Sequence, residues 1–375
     1  MARSRIRILM VGYLPPPFFG PSTTYTALLR SEFPQRFDVT FLDITVAKNV
    51  NDIEKLRVGK LFKMVGFLLR ELWLLATHRF DFACALVSVN RNAFIKDAAL
   101  LGLARAFGVP TVLYAHGNNI PDFHDRSSPW MQRLIARTCR RAAGAIVLGE
   151  CLRFNFDRWL PQDRIFVVPT GFVPMDVIPK PAKQPGVVTV VYLGLMFRDK
   201  GVFVLLEAAA KIAAKRRDIR FVFMGAWFRA DEETAARKFV ADHQLGQRVT
   251  FLGRVSNEVK WQTLADADML VFPTFYYYET MGAVLPEAMQ AGLPVIATRR
   301  ASIPEIVQEP RYGLLINEQD PDDLVEKILQ LADDPALRAR MGAAGRQRFD
   351  SYYTHEHYGQ RMIGVFEQLA ARRGG

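Results

Sequence analysis

Between residues 5 and 316 the chain repeats one pattern, a short and largely apolar run followed by a segment of helical period. A strand with one face in water alternates apolar and polar residues. These runs do not alternate, so they read as strands buried on both faces, and such strands separated by helices build parallel sheets. The first half holds the runs 5–11, 37–43, 81–88, 110–115, 144–148 and 164–168, and the second half holds 187–193, 221–225, 249–255, 268–272, 293–297 and 313–316. The fold class is therefore α/β, doubly wound. A chain of 375 residues exceeds what one core supports, so two units are expected. Pro174, Pro179, Pro181 and Pro185 mark a stiff connector. This predicts an N-terminal domain over 1–174, a linker over 175–186, a C-terminal domain over 187–350 and a closing helix within 351–375.

In doubly wound sheets ligands meet the loops after the carboxyl ends of strands. The most informative such loop is the stretch 274–292, TFYYYETMGAVLPEAMQAG. It follows a strand that ends at Pro273 and turns helical from Ala283, with Pro286 in the first turn and Gly292 placed as a C-terminal cap. Two carboxylates frame it, Glu279 and Glu287. In continuous helix they would lie ~12 Å apart on different faces, which suits opposite ends of one long ligand. Between them the backbone N–H groups of Met281, Gly282, Ala283 and Val284 sit near a helix start, where unpaired donors and the helix dipole favour phosphate. Gly282 permits close approach of the backbone.

Glu279 and Glu287 with seven residues between them, followed by Ala-Met-Gln-Ala-Gly-Leu-Pro-Val-Ile-Ala-Thr, resemble the E-x7-E signature of retaining GT-B glycosyltransferases of family 4. The resemblance implies two Rossmann-like domains facing across a cleft, with the last helix crossing back to the first domain. It implies a nucleotide-diphosphate sugar as donor substrate and no further cofactor. The first Glu would lie at the transferred sugar and the second would bind ribose hydroxyls. Gly194 to Gly201 is similar to the family's strand-Gly-Arg-x5-Lys-Gly element, in which Arg and Lys hold the diphosphate. Lys200 and Gly201 match it, Leu195 stands at the Arg position, and Arg198 is the nearest guanidinium in the same loop. Glycines at strand ends, Gly194 and Gly225, together with Leu252, fall in loops that approach the nucleotide in the family.

In the first half, Gly20 follows the first strand where the family has a glycine-rich loop facing donor and acceptor, although Pro21 replaces a common second glycine. His116-Gly117 follows the fourth strand, and in the family a His here contacts the transferred sugar. A structural histidine bonded to a carbonyl is equally compatible with the residues, since a neutral imidazole donates at one nitrogen and accepts at the other. The catalytic candidates are thus Glu279, His116 and Lys200. Asp266-Ala267-Asp268 imitates a metal-binding pair but precedes its strand, so it reads as a helix end and no metal site is expected.

Charge narrows the partners. Residues 1–174 hold 23 Lys and Arg against 13 Asp and Glu, whereas 175–375 hold 26 against 25. The basic half implies an anionic partner. Nucleic acid is not expected, because no nucleic-acid motif or aromatic–basic interleaving is present. An anionic membrane face or a phosphorylated, lipid-linked or glycan acceptor fits better. Segment 55–80 is apolar over a wide face with Lys60, Lys63, Arg70 and His78 interspersed. Lys63, Arg70 and Glu71 interrupt it too often to span a bilayer. Two readings stand for it, a crossover helix packed on the sheet and a basic amphipathic face resting on a membrane. The apolar run after the first arginines is too short for a secretory signal and reads as the first strand. Cys84, Cys139 and Cys151 form no disulfide framework or zinc pattern. A cytoplasmic location, peripheral on the inner membrane face, is the expectation. Two other classes share the fold: a catalytically silent nucleotide- or partner-binding relative, and a phosphorylase or epimerase.

Overall fold

The computed structural model describes residues 5–16, 20–45, 58–175, 179 and 181–374, and side chains are not described for 58–62 and 374. Pro17, Phe18 and Phe19 of the first loop, 55–57 of the 55–80 segment, and 176–178 and 180 of the connector lie outside these residues, and the Lys60 side chain is among those not described. The chain forms two compact units, Met1–Val173 with Tyr353–Gly375, and Pro174–Tyr352.

Each of the twelve apolar runs is a strand, and no boundary moves by more than two residues. The first unit carries β1 Arg7–Gly12, β2 Asp38–Asp43, β3 Phe82–Val87, β4 Thr111–Ala115, β5 Gly144–Val147 and β6 Ile165–Val167, in the order β2-β1-β3-β4-β5-β6. The second carries β7 Val188–Leu193, β8 Ile219–Met224, β9 Val249–Gly253, β10 Met269–Phe272, β11 Val295–Thr298 and β12 Gly313–Ile316, in the order β12-β11-β10-β7-β8-β9. All the pairings are parallel. β3, β7 and β10 are buried at every residue, which is why their sequences do not alternate. The winding direction of the second sheet reverses between β7 and β10, so a crevice opens at their carboxyl ends.

The closing helix His355–Gly374 belongs to the first unit. Its Phe366 packs with Phe33, Phe37 and Phe82 at ring separations of 5.7, 6.1 and 5.7 Å, and the Tyr358 and Tyr114 hydroxyls are hydrogen-bonded at 2.8 Å. The helix Val58–Thr77 connects β2 to β3 and packs on the helix Arg91–Ala106. Its inner side buries Glu71, Leu74 and Leu75, and burial pushes the Glu71 carboxyl up to about 8, so this face is uncharged near neutrality. Its outer side exposes Val65, Leu69, Leu72 and Trp73 beside Lys63 and Arg70. One side of this segment is thus packed as a crossover helix, and the other is apolar and basic at the surface.

Glycines tie the strand ends of the second sheet together. The Gly194 N–H donates to the Met224 carbonyl at 2.9 Å, and the Gly225 N–H donates to the Gly253 carbonyl at 2.9 Å. Gly225 has φ +148, and a Cβ there would lie 1.7 Å from the Gly194 oxygen. Gly225→Ala should therefore cost about 3 kcal/mol or more, because it combines backbone strain with a clash against rigid backbone. Urea unfolding measures this; a change under about 0.5 kcal/mol, the level of an ordinary surface substitution, would contradict the described contact.

Candidate active site

The loops on either side of the β7/β10 reversal are locked together by backbone. After β7, the turn Arg198–Lys200 leads through Gly201, at φ +79, into the helix Val202–Ala213. A Cβ at Gly201 would lie 2.0 Å from the Pro273 oxygen, so only glycine lets this loop sit on the end of β10. The Phe275 N–H donates to the Asp199 carbonyl at 2.8 Å across the same seam. This brings Lys200 Nζ to 2.6 Å from Glu279 Oε2. The Thr274 hydroxyl donates to the same oxygen at 3.2 Å, and the Thr280 N–H donates to Oε1 at 3.3 Å. The side chains are 17% and 9% exposed, so the pair lies in a partly dried pocket where its Coulomb attraction is screened less than at the surface. Burial, and behind it the Glu279 charge, pushes the pKa of the neighbouring Tyr192 phenol up, so the phenol stays protonated. Two residues expected at adjacent parts of one ligand are thus in direct contact.

The stretch between the carboxylates is loop up to Ala283 and helix after it, as its residues predict. It is not continuous helix: the backbone turns at Gly282, at φ +62, and the helix runs only Val284–Gln290. The ~12 Å helical spacing therefore does not describe Glu279 and Glu287. Of the four residues expected at the helix start, Val284 opens the helix, Ala283 precedes it without a side-chain cap, and Met281 is buried. A Cβ on Gly282 would come 3.0 Å from the Phe272 ring, so this glycine clears a neighbouring aromatic and does not only offer its backbone. The helix ends as expected, with Gly292 at φ +72 and bonds from Gly292 N–H to Met289 O and Leu293 N–H to Ala288 O. Glu287 has its own cation, Lys260 Nζ, 2.8 Å from Oε1. The two carboxylates do not share an atom; each holds a different lysine.

Arg198 turns its guanidinium over the Phe203 ring, 4.3 Å from the centroid, and its backbone N–H donates to the Glu232 carboxylate. Leu195 accepts the Tyr192 hydroxyl at its carbonyl. Gly194, Gly225 and Leu252 lie at the carboxyl ends of β7, β8 and β9, with Leu252 exposed. Asp266 ends the helix Asn257–Asp266 and accepts from Gln262 and the Ala182 N–H, while Asp268 pairs with Lys183 and accepts the Thr189 N–H.

In the first unit, His116 follows β4 with its ring 4.4 Å from that of Tyr114. Its Nε2 is enclosed and has no hydrogen-bond partner among the described residues. Burial holds the imidazole down at about 3, neutral at every physiological pH. Gly20 is corrected from a loop glycine: it is the first residue of the helix Gly20–Arg30, is exposed, and a side chain there would meet nothing within 4 Å. Its carbonyl accepts the Thr23 and Thr24 hydroxyls.

Sequence reasoning missed Lys260, Thr274 and Tyr276, whose ring lies 4.8 Å from Lys200 Nζ. Thr274 had a signal, a hydroxyl directly after a buried strand. Lys260 had none, because it meets Glu287 only through the winding of the sheet. Lys200→Met should cost about 3 kcal/mol by leaving an enclosed carboxylate without its cation, and Lys200→Met/Glu279→Gln should cost about 1 kcal/mol less than that or better. A double-mutant cycle by urea unfolding reads the coupling; strictly additive losses would mean the pair is not formed.

Residues 176–348 match the family Glycosyl transferases group 1. A GDP-mannose-dependent monoacylated alpha-(1-6)-phosphatidylinositol monomannoside mannosyltransferase of Corynebacterium glutamicum is 34% identical over 173 residues, 45% of this chain and 44% of that protein. The aligned stretch thus spans less than half of that relative. An alpha-D-kanosaminyltransferase of Streptomyces kanamyceticus is 25% identical over 71% of this chain and 72% of its own. Among solved structures, sucrose-phosphate synthase of Thermosynechococcus elongatus superposes with a TM-score of 0.73 at 19% identity, covering 98% of this chain and all of that one. HepE of Anabaena in complex with UDP gives 0.72 at 15% identity, over 97% of this chain. Two six-stranded parallel sheets with flanking helices are thus the GT-B fold, and Lys200, Glu279 and Glu287 lie in the stretch that matches glycosyl transferases group 1.

Proposed function

We propose that this protein is a retaining, metal-independent glycosyltransferase of family 4 that moves a sugar from a nucleotide-diphosphate sugar to a glycan or lipid-linked acceptor. The Lys200–Glu279 pair at the sheet reversal, 2.6 Å apart inside the matched domain, carries this reading. Breaking a glycosidic bond to phosphate leaves positive charge on the anomeric carbon and negative charge on the diphosphate. An ammonium and a carboxylate held together offer one partner to each. Lys200 would move from Glu279 to the diphosphate, and the first amides before the helix Val284–Gln290 would share that load. Glu279, freed and still held by Thr274 and Thr280, would orient the sugar and stabilise the oxocarbenium-like centre. Glu287, braced by Lys260, would bind ribose hydroxyls. Neutral His116 would accept or donate at a sugar hydroxyl without a charge cost.

Leu195 at the expected Arg position and the stacking of Arg198 on Phe203 favour a second reading, a silent relative that binds nucleotide without turnover. Titrating UDP, GDP, ADP and their sugar conjugates against thermal unfolding separates the readings. A ligand at about 100 times its Kd adds about 2.7 kcal/mol, so one base should raise Tm by a few degrees and Lys200→Ala should abolish the rise. Glu287→Ala should mainly raise the donor KM, and Glu279→Ala should lower kcat by about a hundredfold or more. Saturable binding with no turnover and no donor hydrolysis would establish the silent relative, and no shift with any nucleotide would remove both.

For the acceptor, the lipid named for the Corynebacterium relative and the outer face of the helix Val58–Thr77 support a lipid-linked precursor of a surface polysaccharide, reached at an anionic inner membrane face. No helix among the described residues is long and apolar enough to cross a membrane. Leu69 and Trp73, 60% and 59% exposed, would enter the interface while Lys63 and Arg70 meet lipid phosphates. Co-sedimentation with vesicles containing phosphatidylglycerol should exceed that with neutral vesicles, weaken with salt, and fall at least about tenfold in Leu69→Glu/Trp73→Glu. Equal sedimentation with both vesicle types would rule this surface out.

A further inference from the structure

Beside the Lys200–Glu279 pair runs a chain of aromatic rings that the mechanism leaves unused. Phe228 stands 5.6 Å from Phe197, Phe197 5.4 Å from Tyr276, Tyr276 5.8 Å from Tyr278, and Tyr278 5.0 Å from Tyr277. The rings come from the loops after β7, β8 and β10, so they line one stretch of the carboxyl edge of the second sheet. The row passes the reactive pair at its middle ring, with Lys200 Nζ 4.8 Å from the Tyr276 centroid, and both of its ends reach solvent. Phe228, Tyr277 and Tyr278 are 37%, 38% and 38% exposed.

The supporting backbone is hydrogen-bonded to its neighbours at three points. Arg300, itself paired with Glu318, donates to the Tyr276 carbonyl at 2.7 Å; the Thr298 hydroxyl donates to the Thr274 carbonyl at 2.5 Å; the Phe228 N–H donates to the Met196 carbonyl at 3.0 Å. The three consecutive tyrosines of this aromatic ledge thus stand in a loop tied to its neighbours at Thr274 and Tyr276.

The chemistry of the ledge selects its occupant. An aromatic face is electron-rich and favours polarised C–H groups, while a tyrosine hydroxyl adds a hydrogen-bonding handle at the rim. A pyranose ring presents both surfaces, a face of axial C–H bonds and an edge of hydroxyls. An acyl chain has no use for the hydroxyls. A nucleobase would stack, but Tyr277 and Tyr278 directly precede Glu279, the carboxylate assigned to the sugar, whereas the ribose is assigned to Glu287, which holds a different lysine. The geometry points to a pyranose-stacking subsite on Tyr277 and Tyr278 that selects the sugar ring on this side of the reacting bond. This rests on the glycosyltransferase reading for its place along the ligand, and on the rings themselves for its chemistry.

Saturation-transfer NMR with methyl α-glucopyranoside, methyl α-mannopyranoside and methyl α-galactopyranoside tests it. At least one should receive saturation on the C–H protons of one ring face. Tyr277→Ala/Tyr278→Ala should reduce that transfer about fivefold or more, whereas Tyr277→Phe/Tyr278→Phe, which keeps the rings, should retain most of it. The nucleotide-induced rise in Tm serves as a folding control; if the double alanine variant loses it, Tyr277→Ala alone is read instead. Displacement of the pyranoside by the nucleotide sugar but not by the free nucleotide assigns the subsite to the donor sugar. No displacement by either assigns it to the acceptor glycan. No transfer to any of the three pyranosides in the wild type, or transfer undiminished in the alanine variants, overturns the subsite. Absence of a nucleotide shift with intact pyranoside transfer would sink the glycosyltransferase reading and leave the ledge standing.

Discussion

The site depends on one seam, the contact of the loop after β7 with the end of β10. Gly201 lies against the Pro273 carbonyl with no room for a Cβ, and the Asp199 carbonyl is tied to the Phe275 N–H. Neither loop alone could hold an ammonium and a carboxylate 2.6 Å apart in a partly dried pocket, because each would turn its charge to water. Backbone hydrogen bonds and a glycine contact cover the cost of assembling them. The same seam carries the aromatic ledge, since Phe197 and Tyr276 come from its two sides.

That seam exists because of sheet topology. β7 and β10 are neighbours at the point where the winding reverses, although about eighty residues of chain separate them. A reversal leaves the carboxyl ends of the two central strands uncovered by crossover connections, so their loops face one opening. Charge and hydrogen bonding then complete the site locally: Thr274 and Thr280 hold Glu279, and Lys260 holds Glu287. The buried protonated face of Glu71 and the exposed Leu69 and Trp73 follow the same logic in the other unit, where one helix presents different chemistry to the core and to solvent.

Much of this was legible in the residues. β3, β7 and β10 read as strands because a strand covered on both faces must be apolar throughout, and Gly292 read as a cap because only a left-handed residue closes that helix. Glu279, Glu287 and Lys200 stood out through spacing and order along the chain. Gly20 misled, because a glycine after a first strand has the same letter whether it makes a tight loop or opens a helix. Gly282 was read as a gap for phosphate, while its neighbour is Phe272. The loop-to-helix change near Ala283 was legible, whereas the positive φ of Gly282 that makes the turn is encoded by no pattern of hydrophobicity.

The sequence by itself determined the alternation of buried strands and helices, the two-unit division and the presence of an acidic pair in a strand-end loop, because these follow from local periodicity and from which side chains avoid water. Only the tertiary structure decided that Lys200 answers Glu279, that Lys260 answers Glu287, and that Phe197, Phe228 and three tyrosines form one ledge. Those contacts join residues far apart in the chain, and what brings them together is the order in which parallel strands pair. Strand order is a property of the whole packed sheet, so no local segment of sequence specifies it.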